Sequence, residues 1–224
     1  MVKKQKSKRN PHNVVFVEAL VMALFIFGLG LMLGIFIEES RADSIESEYI
    51  KSQINLLDIQ TLSGMMGNDD YSCEYRIEKN IEFGNRIYND ALLFAKYESV
   101  QTFGDKLVEQ HRIYDLLRTI FWLNSIELRN DCPELQTIVY LYNYGTEDSA
   151  ELQRQKVFSR FAGELKDEIG KNVVLIPIAI NLNIASLDVL KDRYNITGGM
   201  ILVNEEDQLT DIGGLDDFRK NVKS

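Results

Sequence analysis

Val173–Leu182, VVLIPIAINL, is the stretch on which the fold turns. A run this apolar and this short, rich in β-branched residues, predicts a strand covered on both faces. Pro177 inside it carries no N–H for a ladder, so the strand belongs at a sheet edge. Working backward, Gly170 stops an amphipathic helix over Ser149–Ile169 whose apolar stripe is Val157, Phe158, Phe161, Leu165 and Ile169. Before that helix, Gln136–Tyr144, QTIVYLYNY, reads as the first strand. Working forward, Ala185–Tyr194 reads as a short helix, Gly199–Asn204 as a third strand, the region around Leu209–Ile212 as a fourth, and Gly214–Val222 as a closing helix. The order is β-α-β-α-β-β-α. A right-handed crossover makes the first two strands parallel and predicts a four-stranded mixed sheet.

That order is the topology of a thioredoxin-like module. The segment Leu187–Glu206, LDVLKDRYNITGGMILVNEE, resembles the thioredoxin-like pattern of short helix, Tyr-x-Ile turn, strand and turn. With a basic tail, an anchor and a helical region in front, the layout resembles membrane-anchored, extracytoplasmic thioredoxin-like proteins of archaea. The detailed resemblance covers Cys132 to the end; the anchor and helices match only in layout. Such proteins carry Cys-x-x-Cys at the start of the first helix and a cis-proline before the third strand. Here Ser149 and Leu152 stand at the thiol positions, Gln155 is retained, and the proline position falls on Met200, or on Gly199 with a shift of one. Dithiol exchange needs a thiolate and a second sulfur to resolve the mixed disulfide, which neither Ser149 nor Leu152 supplies. Ser149 instead reads as a helix N-cap with Leu152 at the third position. It lacks a G-x-S-x-G elbow, and His111 is the one histidine on its side of the anchor, so hydrolase chemistry is not expected. No residue is assigned a catalytic role, and no cofactor motif is present. Asn195–Ile196–Thr197 is a glycosylation sequon.

Residues 41–131 read as a helical hairpin or stalk. Ile45, Tyr49, Leu56, Ile59 and Leu62 recur at helical spacing, with a stop at Ser63–Gly64 and a turn at Gly67–Asp70. A second helix is expected over Tyr71–Tyr97, carrying Ile77, Ile81, Ile87, Tyr88, Leu92 and Ala95. After a break at Ser99–Gly104, a third covers Asp105–Arg129, with Leu107, His111, Tyr114, Leu117, Phe121 and Leu128 on one face. If these helices run antiparallel, Cys73 and Cys132 come together; the pair is read as a disulfide, the alternative being two buried thiols. His111 with Asp115 one turn later resembles half of a metal pair, but the other histidine is His12, so no metal site is expected. Tyr114, Phe121 and Trp122 read as packing.

The stretch ahead of all this, Glu18–Glu39, holds nineteen residues, Ala19–Ile37, without a charged or polar side chain. That is about the length a bilayer core requires of a helix. Lys3, Lys4, Lys6, Lys8 and Arg9 precede it and Glu38–Glu39 follow, which predicts a cytoplasmic N-terminus and an extracytoplasmic remainder in the plasma membrane. Ser40–Arg41–Ala42 makes a poor cleavage site, so the segment reads as an uncleaved anchor over residues 18–38 behind a cytoplasmic tail of residues 1–17. From Glu18 onward 34 acidic residues face 20 basic ones, a net charge of −14 that argues against nucleic acid as a partner. Gly30 and Gly34 have the G-x-x-x-G spacing through which two spans can dimerise. Three functions compete: a non-catalytic binding or scaffolding module that takes a protein or peptide near Gly198–Met200, a thiol–disulfide oxidoreductase using Cys73 and Cys132, and a structural envelope component.

Overall fold

The computed structural model of the chain describes residues 11–66, 71–98 and 104–222. Residues 1–10, the turn at Gly67–Asp70 and the break at residues 99–103 lie outside the described residues. So do the side chains of Ile45, Tyr49, Leu56, Ile59, Leu62, Leu92, Ala95 and Leu107. The chain divides into two units, Met1–Ser47 and Glu48–Ser224. A single helix, α1 (Pro11–Met66), runs across that division and overruns the stop expected at Ser63–Gly64. No glycine or proline stands between Gly34 and Gly64, so nothing in the local sequence breaks it. Within α1, Val15–Ile37 has a mean hydropathy of 2.8 and none of it is buried in protein. It is long and apolar enough to cross a membrane.

In the second unit, α2 (Cys73–Glu98) and α3 (Gly104–Asp131) precede a sheet built from β1 (Gln136–Tyr142), β2 (Val173–Ala179), β3 (Met200–Val203) and β4 (Asp207–Leu209). α4 (Ser149–Ile169) joins β1 to β2, α5 (Ala185–Arg193) joins β2 to β3, and α6 (Leu215–Val222) closes the chain after a 3-10 turn at Ile212–Gly214. The strands lie in the order β2-β1-β3-β4, with β1 and β2 parallel and the other two pairs antiparallel.

Alternation along β1 sends Ile138 and Tyr140 to one side, where Phe158, Phe161 and Leu165 of α4 and Phe218 of α6 cover them. Val139 and Leu141 go to the other side, with Phe121 and Trp122 of α3, Phe83 of α2 and Leu187 of α5. β2 is sandwiched in the same way, which accounts for its nearly unbroken apolar run. It is also the edge strand that Pro177 requires. Gln136 N–H donates to Asn172 O and Ile180 N–H to Tyr142 O, so even-numbered positions of β2 face β1 and Pro177 faces outward. Here Pro177 deprives the edge of a donor without costing the ladder a bond.

In three strands a boundary moves by two residues or more. β1 ends at Tyr142 and β2 at Ala179 because Asn181 clamps the following loop, its side chain accepting from Tyr144 N–H and donating to Tyr144 O, both at 2.8 Å. β4 starts at Asp207, earlier than the Leu209–Ile212 expected, because the β3–β4 turn is tight. Asn204 and Glu205 both adopt left-handed backbone (φ 51° and 60°), and Glu206 N–H donates to Val203 O.

Cys73 and Cys132 are joined, with Cα atoms 5.5 Å apart. Cys73 opens α2 and Cys132 directly follows α3, so the bridge ties the two helices where the antiparallel arrangement brings their ends together.

Candidate functional site

The parallel strands β1 and β2 end on the side of the sheet where α4 begins, and the positions singled out in sequence gather near that entry. Gly145, at φ 67°, turns the chain out of β1. Asp148, not Ser149, caps α4: its Oδ1 accepts from Ala150 N–H at 2.9 Å and its carbonyl from Leu152 N–H. Asp148–Ser149–Ala150–Glu151 is a D-x-x-E cap signature that outcompetes Ser149, since its carboxylate is the better partner for the helix N-terminus. Ser149 is the first helical residue and is exposed; Leu152 is exposed as well.

Between these positions and the sheet lies a polar network. Glu151 Oε1 accepts from Gln155 Nε2 (3.1 Å) and Asn143 Nδ2 (3.4 Å), and Glu151 Oε2 accepts from Arg154 Nη1 (3.1 Å). The hydrogen bond from Gln155 first, and then the Arg154 guanidinium, hold the Glu151 carboxyl below the usual range. Arg154 Nη2 also donates to Gly199 O (2.5 Å) before β3 and to Thr210 O (2.8 Å) after β4. One side chain thus staples the helix to both ends of the β3–β4 hairpin. Gly199 is buried, and a Cβ there would sit 3.2 Å from Glu151 Oε1 and 3.3 Å from Leu141 O. Met200 is buried in β3, paired with Leu141. Tyr140 donates from its hydroxyl to Gln155 O, and burial pushes that phenol up.

The network uses the Gly199 carbonyl inside the protein and leaves Ser149 and Leu152 facing solvent. Of the positions named from sequence, Gln155 joins it through its side chain and Gly199 through its carbonyl, and Met200 lies next to Gly199. Glu151 and Arg154, which dominate it, were not singled out. Their i, i+3 spacing signals a local pair, but nothing local reveals the two carbonyls.

Two more clusters lie under the sheet's other face. Asp115 is fully buried with Arg118 Nη1 at 3.0 Å. Burial pushes its carboxyl up, against the pull of Arg118 and of a hydrogen bond from the Ala179 backbone at the outer edge of β2. His111 stacks on Tyr144 with ring centroids 3.8 Å apart. Among the described residues no group of three or more His, Cys, Asp or Glu side chains could hold a metal ion. The second cluster centres on Glu205. Its Oε1 accepts from Trp122 Nε1 (2.7 Å) and Thr137 Oγ1 (2.9 Å), and its Oε2 lies 2.7 Å from Arg129 Nη2. Asn204 Oδ1 accepts from Thr137 N–H. These contacts hold the β3–β4 turn in its left-handed conformation.

The bridge borders an open groove of about 670 Å³ with Glu74, Glu78, Glu134 and Lys171 on its walls. Cys73 is half-buried there while Cys132 is fully buried. Asn195 is exposed, at φ 53°, in the loop after α5; Thr197 is exposed and Ile196 buried.

Compared with protein-family models, with curated proteins and with solved structures, the chain matches none.

Proposed function

We propose that the chain is a single-pass membrane protein whose part beyond the span is a thioredoxin-like module without the redox reaction. In this reading it serves as a binding or scaffolding module. The strand order β2-β1-β3-β4, with only the first pair parallel and α4 and α6 on one face, supports the thioredoxin-like reading. The observation that carries the loss of chemistry is the Glu151–Arg154–Gly199 network. The entry of α4 is occupied by an internally satisfied ion pair, and the two positions flanking it carry a hydroxyl and an isobutyl group. Leu152, 40% exposed at this helix entry, is the position from which contact with a partner is tested. The basic tail orients the module outside the plasma membrane.

A photo-crosslinking residue placed at Leu152 in the full chain, irradiated in its own membranes, tests this. A discrete protein adduct is the expected result; labelling confined to lipid or solvent overturns the binding reading. Proteolysis of intact cells checks the side, since cleavage at the loop residues 143–148 is expected only if the module lies outside.

A second reading has one observation in its favour: Cys73 is the accessible sulfur of the bridge, sits at the N-terminus of α2 and opens on the groove. In that reading the bridge is exchanged by a dithiol substrate. Acceleration by the full chain of insulin reduction with dithiothreitol as the electron donor, abolished in Cys73→Ser, would establish it and displace the first.

A further inference from the structure

Beyond the span, the part of α1 that belongs to the second unit carries an apolar row exposed in that unit. Ile50, Ile54 and Leu57 are 50%, 58% and 62% exposed, and Thr61 continues the row. The spacing of 4, 3 and 4 residues is a heptad seam, with Ile50 and Leu57 at d positions and Ile54 and Thr61 at a positions. Thr61 donates its hydroxyl to Leu57 O at 2.8 Å, so its polar atom is satisfied within its own helix. β-branched residues at a with Leu at d favour two parallel strands, a pattern met at Ile54, Leu57 and Thr61, whereas Ile50 at the first d position does not favour it.

We propose that this row is the seam of a homodimer, a parallel two-stranded coiled coil formed by two copies of this chain in one membrane. The occupant follows from the chain itself. The seam begins thirteen residues after Ile37, the end of the apolar segment, within the same helix. On the membrane-anchored reading above, on which this inference rests, two copies leave the bilayer in the same direction and at the same height. Each row then meets its own image, Ile54 against Ile54 and Leu57 against Leu57, with no charged residue in the seam. A free coiled coil needs roughly three to four heptads. A row of about two such repeats therefore depends on the bilayer, which raises the effective concentration of one copy about the other. The open space at Gly30 and Gly34 is the competing place for two copies to meet.

Both native cysteines are bridged, so an introduced cysteine is the only free thiol. Leu57→Cys and Lys51→Cys are made in the full chain and oxidised in native membranes with copper phenanthroline. Leu57→Cys is expected to give at least about fivefold more linked dimer, because Lys51 lies about 100° round the helix from Ile50. No dimer from Leu57→Cys, or equal yields, overturns the proposal. Ile54→Asp, which adds no thiol, is expected to reduce energy transfer between labelled copies to that of a non-associating membrane protein; unchanged transfer overturns it. Transfer that survives Ile54→Asp but falls in Gly30→Leu/Gly34→Leu places the contact in the span and also overturns it. Carbonate extraction separates the two readings. Release of the chain sinks the anchor together with the dimer, whereas retention without linked dimer sinks the seam alone.

Discussion

Glu205 offers the sharpest test of how the hairpin is held. Glu205→Ala removes the acceptor of the Trp122 and Thr137 bonds and leaves Arg129, whose side chain is only 19% exposed, without its carboxylate. Hydrogen bonds to a charged group contribute about 1.5–3 kcal/mol each, and breaking a buried pair costs about 3–5 kcal/mol. Because one carboxylate makes all three contacts the terms overlap, and we expect a loss of about 3–5 kcal/mol. For a unit of this size that lowers Tm by roughly 10 °C. Glu205→Gln keeps a neutral acceptor and should lose about half as much. Glu205→Gly should be milder than Glu205→Ala by about 1 kcal/mol, since glycine occupies the left-handed region without penalty. Trp122 is the chain's only tryptophan and is fully buried, so its fluorescence follows unfolding of this unit in the full detergent-solubilised protein. A Tm drop below about 2 °C for Glu205→Ala would refute the reasoning, because it would mean that the buried contacts contribute almost nothing. A glycine variant less stable than the alanine variant would refute the strain argument.

Cys73→Ser should lose about 4 kcal/mol, the chain-entropy cost of opening a loop of 59 residues, with one alkylatable thiol appearing by mass spectrometry. Gly84→Ala puts a Cβ 2.9 Å from Phe121 Cζ in a packed core and should cost about 1–3 kcal/mol in thermal unfolding. Because the Glu151 carboxyl is held below its ordinary 4.5, its contribution is complete above pH 4.5 and is lost as pH falls through the lowered folded-state value. Glu151→Gln should therefore flatten the acid limb of a stability–pH curve below 4.5, and an unchanged limb would count against the network.

Patterns that need only the chain's own period were legible in the sequence: the apolar run of α1, the strand–helix alternation from Gln136 onward, and Pro177 as the mark of an edge. The joined cysteines were legible too, as the better of two alternatives, because two antiparallel helices bring their ends together. What escaped depends on contacts distant in sequence. Asn204–Glu205 lacks the glycine that normally announces a left-handed turn, and Trp122, Arg129 and Thr137, all distant in sequence, hold it there. That turn is why β4 begins before its expected position. Arg154 looks like an ordinary surface partner for Glu151 until Gly199 and Thr210 arrive beside it. The cap moved to Asp148 for a local reason, the D-x-x-E signature, which was available in the sequence and was passed over in favour of the neighbouring serine.

Both borders of the sheet are poor templates for growth. β4 is three residues long, and β2 presents Pro177, which has no N–H to offer, at its outward edge. On the membrane-anchored reading proposed above, copies confined to a bilayer collide far more often than copies in free solution, always in the same orientation, and an open ladder edge would let each collision recruit another strand. A border that offers few free donors breaks that chain reaction at its first step. Crowding then raises the frequency of encounters without propagating sheet from one molecule to the next.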